Sequence, residues 1–149
     1  MYRILAPELV KKTFEKIKKY LPDVVRTPEA FAARYVSSSS MFFEIGDFGG
    51  VFWLSNIILG HKAVIHIVLW DEEWKGKYIQ AKDVVRDVFR LLNLQRLETL
   101  IPTTNKRACG YAEKLGFTLE GILRRFDRYD EQLADLAIYS LLKEELDAK

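Results

Sequence analysis

His66 stands alone in an apolar run, Ala63 to Trp70, and is the one side chain of that run that exchanges a proton near neutrality. Such a histidine is a general-base candidate. It is also the kind of residue that a strand holds as a hydrogen-bonded structural group, and the spacing leaves both readings open. A polar loop with one glycine follows, Asp71-Glu72-Glu73-Trp74-Lys75-Gly76-Lys77. Beyond it Tyr78, Ala81, Val85, Val88 and Leu92 recur at helical spacing, with Val84 and Phe89 beside them. The loop therefore carries the chain from a strand into a helix N-terminus. Free N–H groups and the positive end of the helix dipole attract phosphate there, and Lys75 and Lys77 add charge. An ordinary surface loop of the same composition is the competing reading. Cys109 has no predicted base beside it and reads as helix packing. His61 and His66 have no cysteine company, so no metal site is expected.

A second stretch of chemical interest is Thr103-Thr104-Asn105 through Gly121. Its threonines offer hydroxyls to cap a helix. Ala108, Tyr111, Ala112 and Leu115 share one helical face, and Gly116 sits where helices leave through a left-handed residue. The strand before it, Leu97 to Ile101, sets this helix N-terminus at the strand's carboxyl end, an arrangement suited to ligand binding.

The elements that position these stretches follow in order. Tyr2 to Leu5 reads as a short edge strand. Leu9, Val10, Phe14, Ile17 and Leu21 mark a helical stripe that Pro22 ends, and the lysines around it read as a solvated face. Thr27 caps a second short helix with Pro28 just inside. Ser37 to Ser40 is a connector and Gly46 to Gly50 a turn. Met41–Ile45, Val51–Leu59 and Ala63–Trp70 read as an antiparallel meander whose third strand, apolar on both faces, is central. The helix between Ala63–Trp70 and Leu97–Ile101 permits a parallel pair by crossover. Phe117–Phe126 and Leu133–Leu142 are two terminal strands joined by a turn near Asp130. The fold class expected is α/β, a mixed sheet in which an antiparallel meander precedes a parallel pair.

Composition bounds the rest. A chain of 149 residues is expected to form a single domain, residues 1–149, with a sizeable core. A net charge of +2 gives no argument for nucleic acid. One cysteine excludes an internal disulfide and fits a cytoplasmic setting. No apolar run is long enough to span a bilayer, so no membrane partner is expected.

Two segments carry a family resemblance. Trp74-Lys75-Gly76-Lys77 is similar to the loop that wraps the coenzyme A pyrophosphate in GNAT-superfamily N-acetyltransferases. Asn105-x-x-Ala108 through Glu113-Lys114-x-Gly116-Phe117-x-x-Glu120-Gly121-x-x-Arg124 resembles the following unit of the same superfamily, in the branch that acetylates ribosomal-protein N-termini. Asp135-x-x-x-Tyr139-Ser140 and Glu144-Glu145 resemble that branch's ending. The resemblance spans roughly residues 40 to 146. It implies a central V-shaped splay between strands Ala63–Trp70 and Leu97–Ile101. It also implies acetyl-CoA as cosubstrate and a primary amine, a small molecule or a protein N-terminus, as acceptor. Backbone groups of Ile67, Val68, Leu69 and Trp70 would hold the pantetheine arm and the developing oxyanion. Trp74, Lys75, Gly76, Lys77, Tyr78 and Ile79 would hold the pyrophosphate. Asn105, Ala108 and Tyr111 would touch the cosubstrate, and Asp71 and Glu72, like His66, become candidates for taking the amine's proton.

The sequence also departs from that pattern. Glu73 and Tyr78 stand where the pyrophosphate loop usually has a glutamine or arginine and a small residue. The tyrosine that protonates the leaving thiolate in many members is Ala112 here. Tyr111 lies one residue early, and a step of about 100° is expected to point it elsewhere. A GNAT-fold protein without turnover, serving as a coenzyme A-binding or assembly module, is therefore the alternative. The acceptor and the oligomeric state, a homodimer among the choices, have no motif.

Overall fold

The computed structural model describes residues 2–4, 14–35, 41–45, 50–69 and 78–146. Several expected features lie outside them. These are Leu9 and Val10, the Ser37–Ser40 connector, most of the Gly46–Gly50 turn, and the loop from Trp70 through Lys77 with Asp71, Glu72, Trp74, Lys75 and Gly76. The strands are β1 (Tyr2–Ile4), β2 (Met41–Ile45), β3 (Gly50–Ile58), β4 (Lys62–Leu69), β5 (Arg96–Pro102), β6 (Thr118–Tyr129) and β7 (Gln132–Leu142). The helices are α1 (Pro28–Tyr35), α2 (Tyr78–Leu91) and α3 (Lys106–Lys114). Residues 14–17 are helical and run into a 3-10 turn, Lys18–Tyr20, with a second at Asp23–Val25.

All seven strands form one mixed sheet in the order β1-β2-β3-β4-β5-β7-β6. The expected meander is present, with β2 against β3 and β3 against β4 antiparallel. β4 and β5 are the parallel pair, with α2 as the crossover between them. Alternation along the strands splits the side chains between two cores. Phe52 and Leu54 of β3 and Ala63 and Ile65 of β4 join the first core, with Ala81, Val84, Val85, Val88 and Phe89 of α2 and Tyr111, Ala112 and Leu115 of α3. Val51 and Trp53 of β3 and Val68 of β4 join the second, with Phe14, Ile17, Leu21, Val25 and Phe31. The helices thus cover opposite faces of the sheet, as their apolar stripes require.

Local signals set the element ends. Thr27 Oγ1 accepts the Ala30 N–H at 3.1 Å, the expected cap of α1. The cap of α3 is Asn105 rather than a threonine: its Oδ1 accepts the Ala108 N–H at 3.1 Å. Gly116 leaves α3 at φ +102°, in the conformation expected of it. The β6–β7 hairpin turns on Asp130 and Glu131, both at positive φ, which matches the twist of the flanking strands.

Phe52 is fully buried between β2 and β4 in the first core. Phe52→Ala is expected to lower stability by about 3–5 kcal/mol. Urea denaturation checks this, with a lower midpoint and an unchanged m-value.

Candidate active site

The parallel pair is short. Lys62, Ala63 and Val64 of β4 pair with Arg96, Leu97 and Glu98 of β5, and the pairing ends there. On its other edge β4 stays paired with β3 as far as Leu69. β5 likewise stays paired with β7 over its whole length, from Arg96↔Leu142 to Pro102↔Leu136. Each strand is held by its outer neighbour while the inner edges part, so the V-shaped splay is present. Beyond Val64 the β5-facing edge of β4 presents backbone groups that need partners.

A cavity of about 250 Å³ lies at this gap. Its walls belong to both cores. Ala108, Tyr111, Ala112 and Leu115 face it from the α3 side, and Leu21, Trp53 and Val68 from the other. The cavity therefore passes through the sheet, and two reactants can meet in it from opposite faces. Ile67, Val68, Thr99, Leu100, Ile101 and Asn105 line the passage.

His66 is in the wall, on the face of the second core. It sits directly across from Trp53 in the β3–β4 register. The two rings stack with centroids 4.8 Å apart and planes 11° from parallel, and His66 Nε2 lies 3.0 Å from Ser55 Oγ. Loss of solvent around the ring, with the positive charge of Arg34 as a second cause, pushes its pKa down to about 3. A ring this reluctant to take a proton is a weak acceptor for one coming from an amine. The environment favours the structural reading of His66 and works against the general-base reading.

Tyr111 and Ala112 both line the cavity, and both are buried. The expectation that Tyr111 points elsewhere is therefore corrected. One step along α3 keeps a side chain within the arc that the cavity covers. Asn105 and Ala108 also line it, so these members of the expected cosubstrate site do come together. Leu69, Tyr78 and Ile79 are placed in β4 and α2 as backbone. Asp71, Glu72, Trp70, Trp74, Lys75, Gly76 and Lys77 lie outside the described residues.

The wall of the cavity away from α3 has no motif in the sequence. It is formed by Tyr20, Leu21 and Pro22 from one direction and by Phe126, Asp127 and Tyr129 of β6 from another, with Arg34 of α1. A clasp joins the first two groups. Asp23 accepts the N–H groups of Asp130 and Glu131 at 3.0 and 2.9 Å, and Arg26 Nη1 donates to Asp130 Oδ1 at 2.8 Å. These contacts span more than a hundred positions, and no local pattern announces them.

Residues that marked the resemblance fasten this frame. Asp135 Oδ1 accepts the Arg125 N–H at 2.8 Å, where β6 bulges and Arg125 takes φ +51°, and the Asp135 carbonyl accepts the Thr103 N–H. Tyr139 donates its hydroxyl hydrogen to Glu113 Oε1 at 3.0 Å and so ties β7 to α3. Glu120 takes hydrogen bonds from Arg96 and Ser140 and sits at the Leu119/Gly121 bulge.

No protein-family model matches the chain, and no curated protein matches it. Solved structures do. A mutant form of the Vibrio cholerae spermidine N-acetyltransferase SpeG aligns with TM-score 0.75 and 18% identity, over 98% of this chain and 96% of that one. The same enzyme in complex with CoA and spermine aligns at 0.73 and 16%, over 98% and 96%. A structure described as a putative acetyltransferase aligns at 0.74 and 21%, over 99% of this chain and 84% of that one. The chain has the GNAT fold. At such identities the likeness is one of fold, and it extends to no particular branch. Among the described residues no helix is long and apolar enough to cross a membrane.

His66 also has a consequence for acid stability. Its pKa is depressed in the folded protein, from 6.5 to about 3. The unfolded chain therefore binds the proton first as pH falls. The stability held above pH 6.5 is lost progressively down to about pH 3. His66→Phe is expected to flatten the slope of unfolding free energy between pH 6.5 and 4.5 relative to the wild type. Urea titrations at several pH values read that slope, and equal slopes contradict the assignment.

Proposed function

We propose that the protein is an acetyl-CoA-dependent N-acetyltransferase that acts on a primary amine by direct attack. The observation that carries the reading is the cavity through the sheet at the point where β4 and β5 stop pairing. The thioester would enter from the α3 side. The unpaired edge of β4 from Ile65 to Leu69 offers backbone groups that can bind an amide-bearing arm as a neighbouring strand would. An N–H on that edge, in the Ile67–Trp70 stretch, would stabilise the thioester oxygen as charge develops on it. Asn105 already spends Oδ1 on capping α3, so its part in binding would fall to the amide NH2. The Trp74–Ile79 stretch would take the pyrophosphate, with Lys75 and Lys77 supplying charge.

The amine would come from the opposite face, between α1 and the β6–β7 hairpin. Its nitrogen forms the new bond to the carbonyl carbon, the carbon–sulfur bond breaks, and the thiolate leaves. The attacking nitrogen must shed a proton. With His66 held neutral and weakly basic, the proposed acceptors are Asp71 and Glu72 after β4. Tyr111 is the phenol on the α3 wall from which the thiolate could take a proton. Most of the catalysis would be positioning of the two reactants across the sheet. A protein N-terminus as acceptor is a finer reading that rests on the sequence resemblance, and a cytoplasmic location is one that fits the single cysteine. A module that binds coenzyme A without turnover is the second reading, favoured by Glu73 and Tyr78 in the pyrophosphate loop.

Acetyl-CoA at a hundred times its dissociation constant is expected to stabilise the protein by about 2.7 kcal/mol, a rise of several degrees in melting temperature. Ala108→Trp, which fills the α3 wall, is expected to abolish that rise. Release of free thiol with an amine panel then separates the enzyme from the binder. An unchanged melting temperature with millimolar acetyl-CoA contradicts both readings.

A further inference from the structure

Among the described residues three small hydroxyl side chains are buried, Ser55, Thr99 and Ser140. Two of them are spent inside the protein: Ser55 is bonded to His66, and Ser140 to Glu120. Thr99 is only 6% exposed, and its hydroxyl has no hydrogen-bond partner among the described residues. A buried hydroxyl in that condition weakens a fold unless something else takes the hydrogen bond. Thr99 lines the cavity. On β5 it lies between Leu97 and Ile101, and across from it on β7 is Tyr139, all three in the first core. Strand alternation therefore turns the Thr99 side chain to the α3 face, where the thioester would enter.

Its place along β5 adds a second constraint. Glu98 is the last residue of β5 paired with β4, so Thr99 is the first residue above the foot of the V. An arm laid along β4 from the pyrophosphate end runs toward that foot and cannot pass it, because the ladder closes there. The atoms that reach Thr99 are then those of the reactive end. We infer that the Thr99 hydroxyl donates a hydrogen bond to the thioester sulfur. This rests on the acetyl-transfer reading and names a further catalytic residue at the same site. As the amine nitrogen bonds to the carbonyl carbon, the carbon–sulfur bond breaks and its electron pair goes to sulfur. A hydrogen bond to the charged thiolate is stronger than one to the neutral thioester, so the contact favours the transition state. Thr99 keeps its proton throughout, and Tyr111 remains the phenol from which the thiolate could take one. Asp71 and Glu72, as carboxylates, only accept hydrogen bonds and cannot serve the sulfur in this way.

The test uses Thr99→Val, which keeps the branched shape and the strand preference but removes the donor, and Thr99→Ser, which restores it. Thr99→Val should melt no lower than the wild type, since a buried hydroxyl without a partner gives way to a methyl group. With acetyl-CoA and an amine that releases thiol, its kcat should fall roughly 10- to 100-fold at an unchanged amine KM, and Thr99→Ser should recover most of the loss. Calorimetric binding of CoA and desulfo-CoA at about pH 9, where much of a thiol is ionised, needs no turnover. The wild type should bind CoA more tightly than desulfo-CoA, and Thr99→Val should lose that preference. A Thr99→Val protein with wild-type kcat overturns the inference. So does a lower melting temperature, which would show that the hydroxyl already has a partner in the free protein. An equal loss of affinity for CoA and desulfo-CoA would put the hydroxyl on the arm and not on the sulfur, and overturns it too. If no amine releases thiol, the acetyl-transfer reading fails, and the two ligands still decide the contact. A preference for CoA lost in Thr99→Val sustains it, and equal binding of both ligands, or of neither, rejects it.

Discussion

Backbone groups in a sheet must be paired, and β4 is the strand where that rule is left open. It has a full partner in β3 and only a short one in β5. Closing the gap would satisfy both inner edges, so something must hold the strands apart. β5 is tied along its whole length to β7, which is itself tied to β6. β4 is tied to the meander. Ala112 and Leu115 of α3, packed in the first core, and Val68 of β4, packed in the second, line the opening on its two sides. The opening therefore follows from two well-made half-sheets that meet only at their base.

The same frame explains why the site is divided by face. Odd-numbered positions on β5 and α3 side chains look toward the first core, and the α1 side belongs to the second. A thioester and an amine approaching from opposite faces need no large motion to meet. The clasp from Asp23 and Arg26 to the β6–β7 turn joins two segments of the cavity wall that lie more than a hundred positions apart in the chain. Its exposed charges contribute modestly to stability. Its effect is on the shape of the cavity wall between Leu21 and Tyr129.

Much of the fold was legible because its signals are local. The apolar run Ala63–Trp70 announced a central strand, the Tyr78–Leu92 stripe announced the crossover helix, and Gly116 announced the end of α3. The α3 cap went to Asn105 instead of a threonine because all three side chains are capable caps and only the backbone path decides among them. The splay was expected from resemblance alone, since residue types do not reveal where a ladder stops. Tyr111 was misdirected because a helical step was weighed against a single direction, whereas the cavity spans a broad arc of α3. His66 shows a further limit. Its type suggested proton transfer, but the Trp53 ring stacked on it and the Ser55 hydroxyl bonded to it come from another strand. Arg34 and the hairpin wall were silent in sequence because they meet only through tertiary packing.

The most direct measurement is hydrogen–deuterium exchange of the β4 amides with and without acetyl-CoA. Rapid exchange of the β5-facing N–H groups between Ile65 and Leu69 in the free protein, slowed when acetyl-CoA is added, is the expected result. Amides in that stretch that are protected already in the free protein, or that exchange equally fast with the thioester present, would contradict the claim that the open edge of β4 is where acetyl-CoA binds.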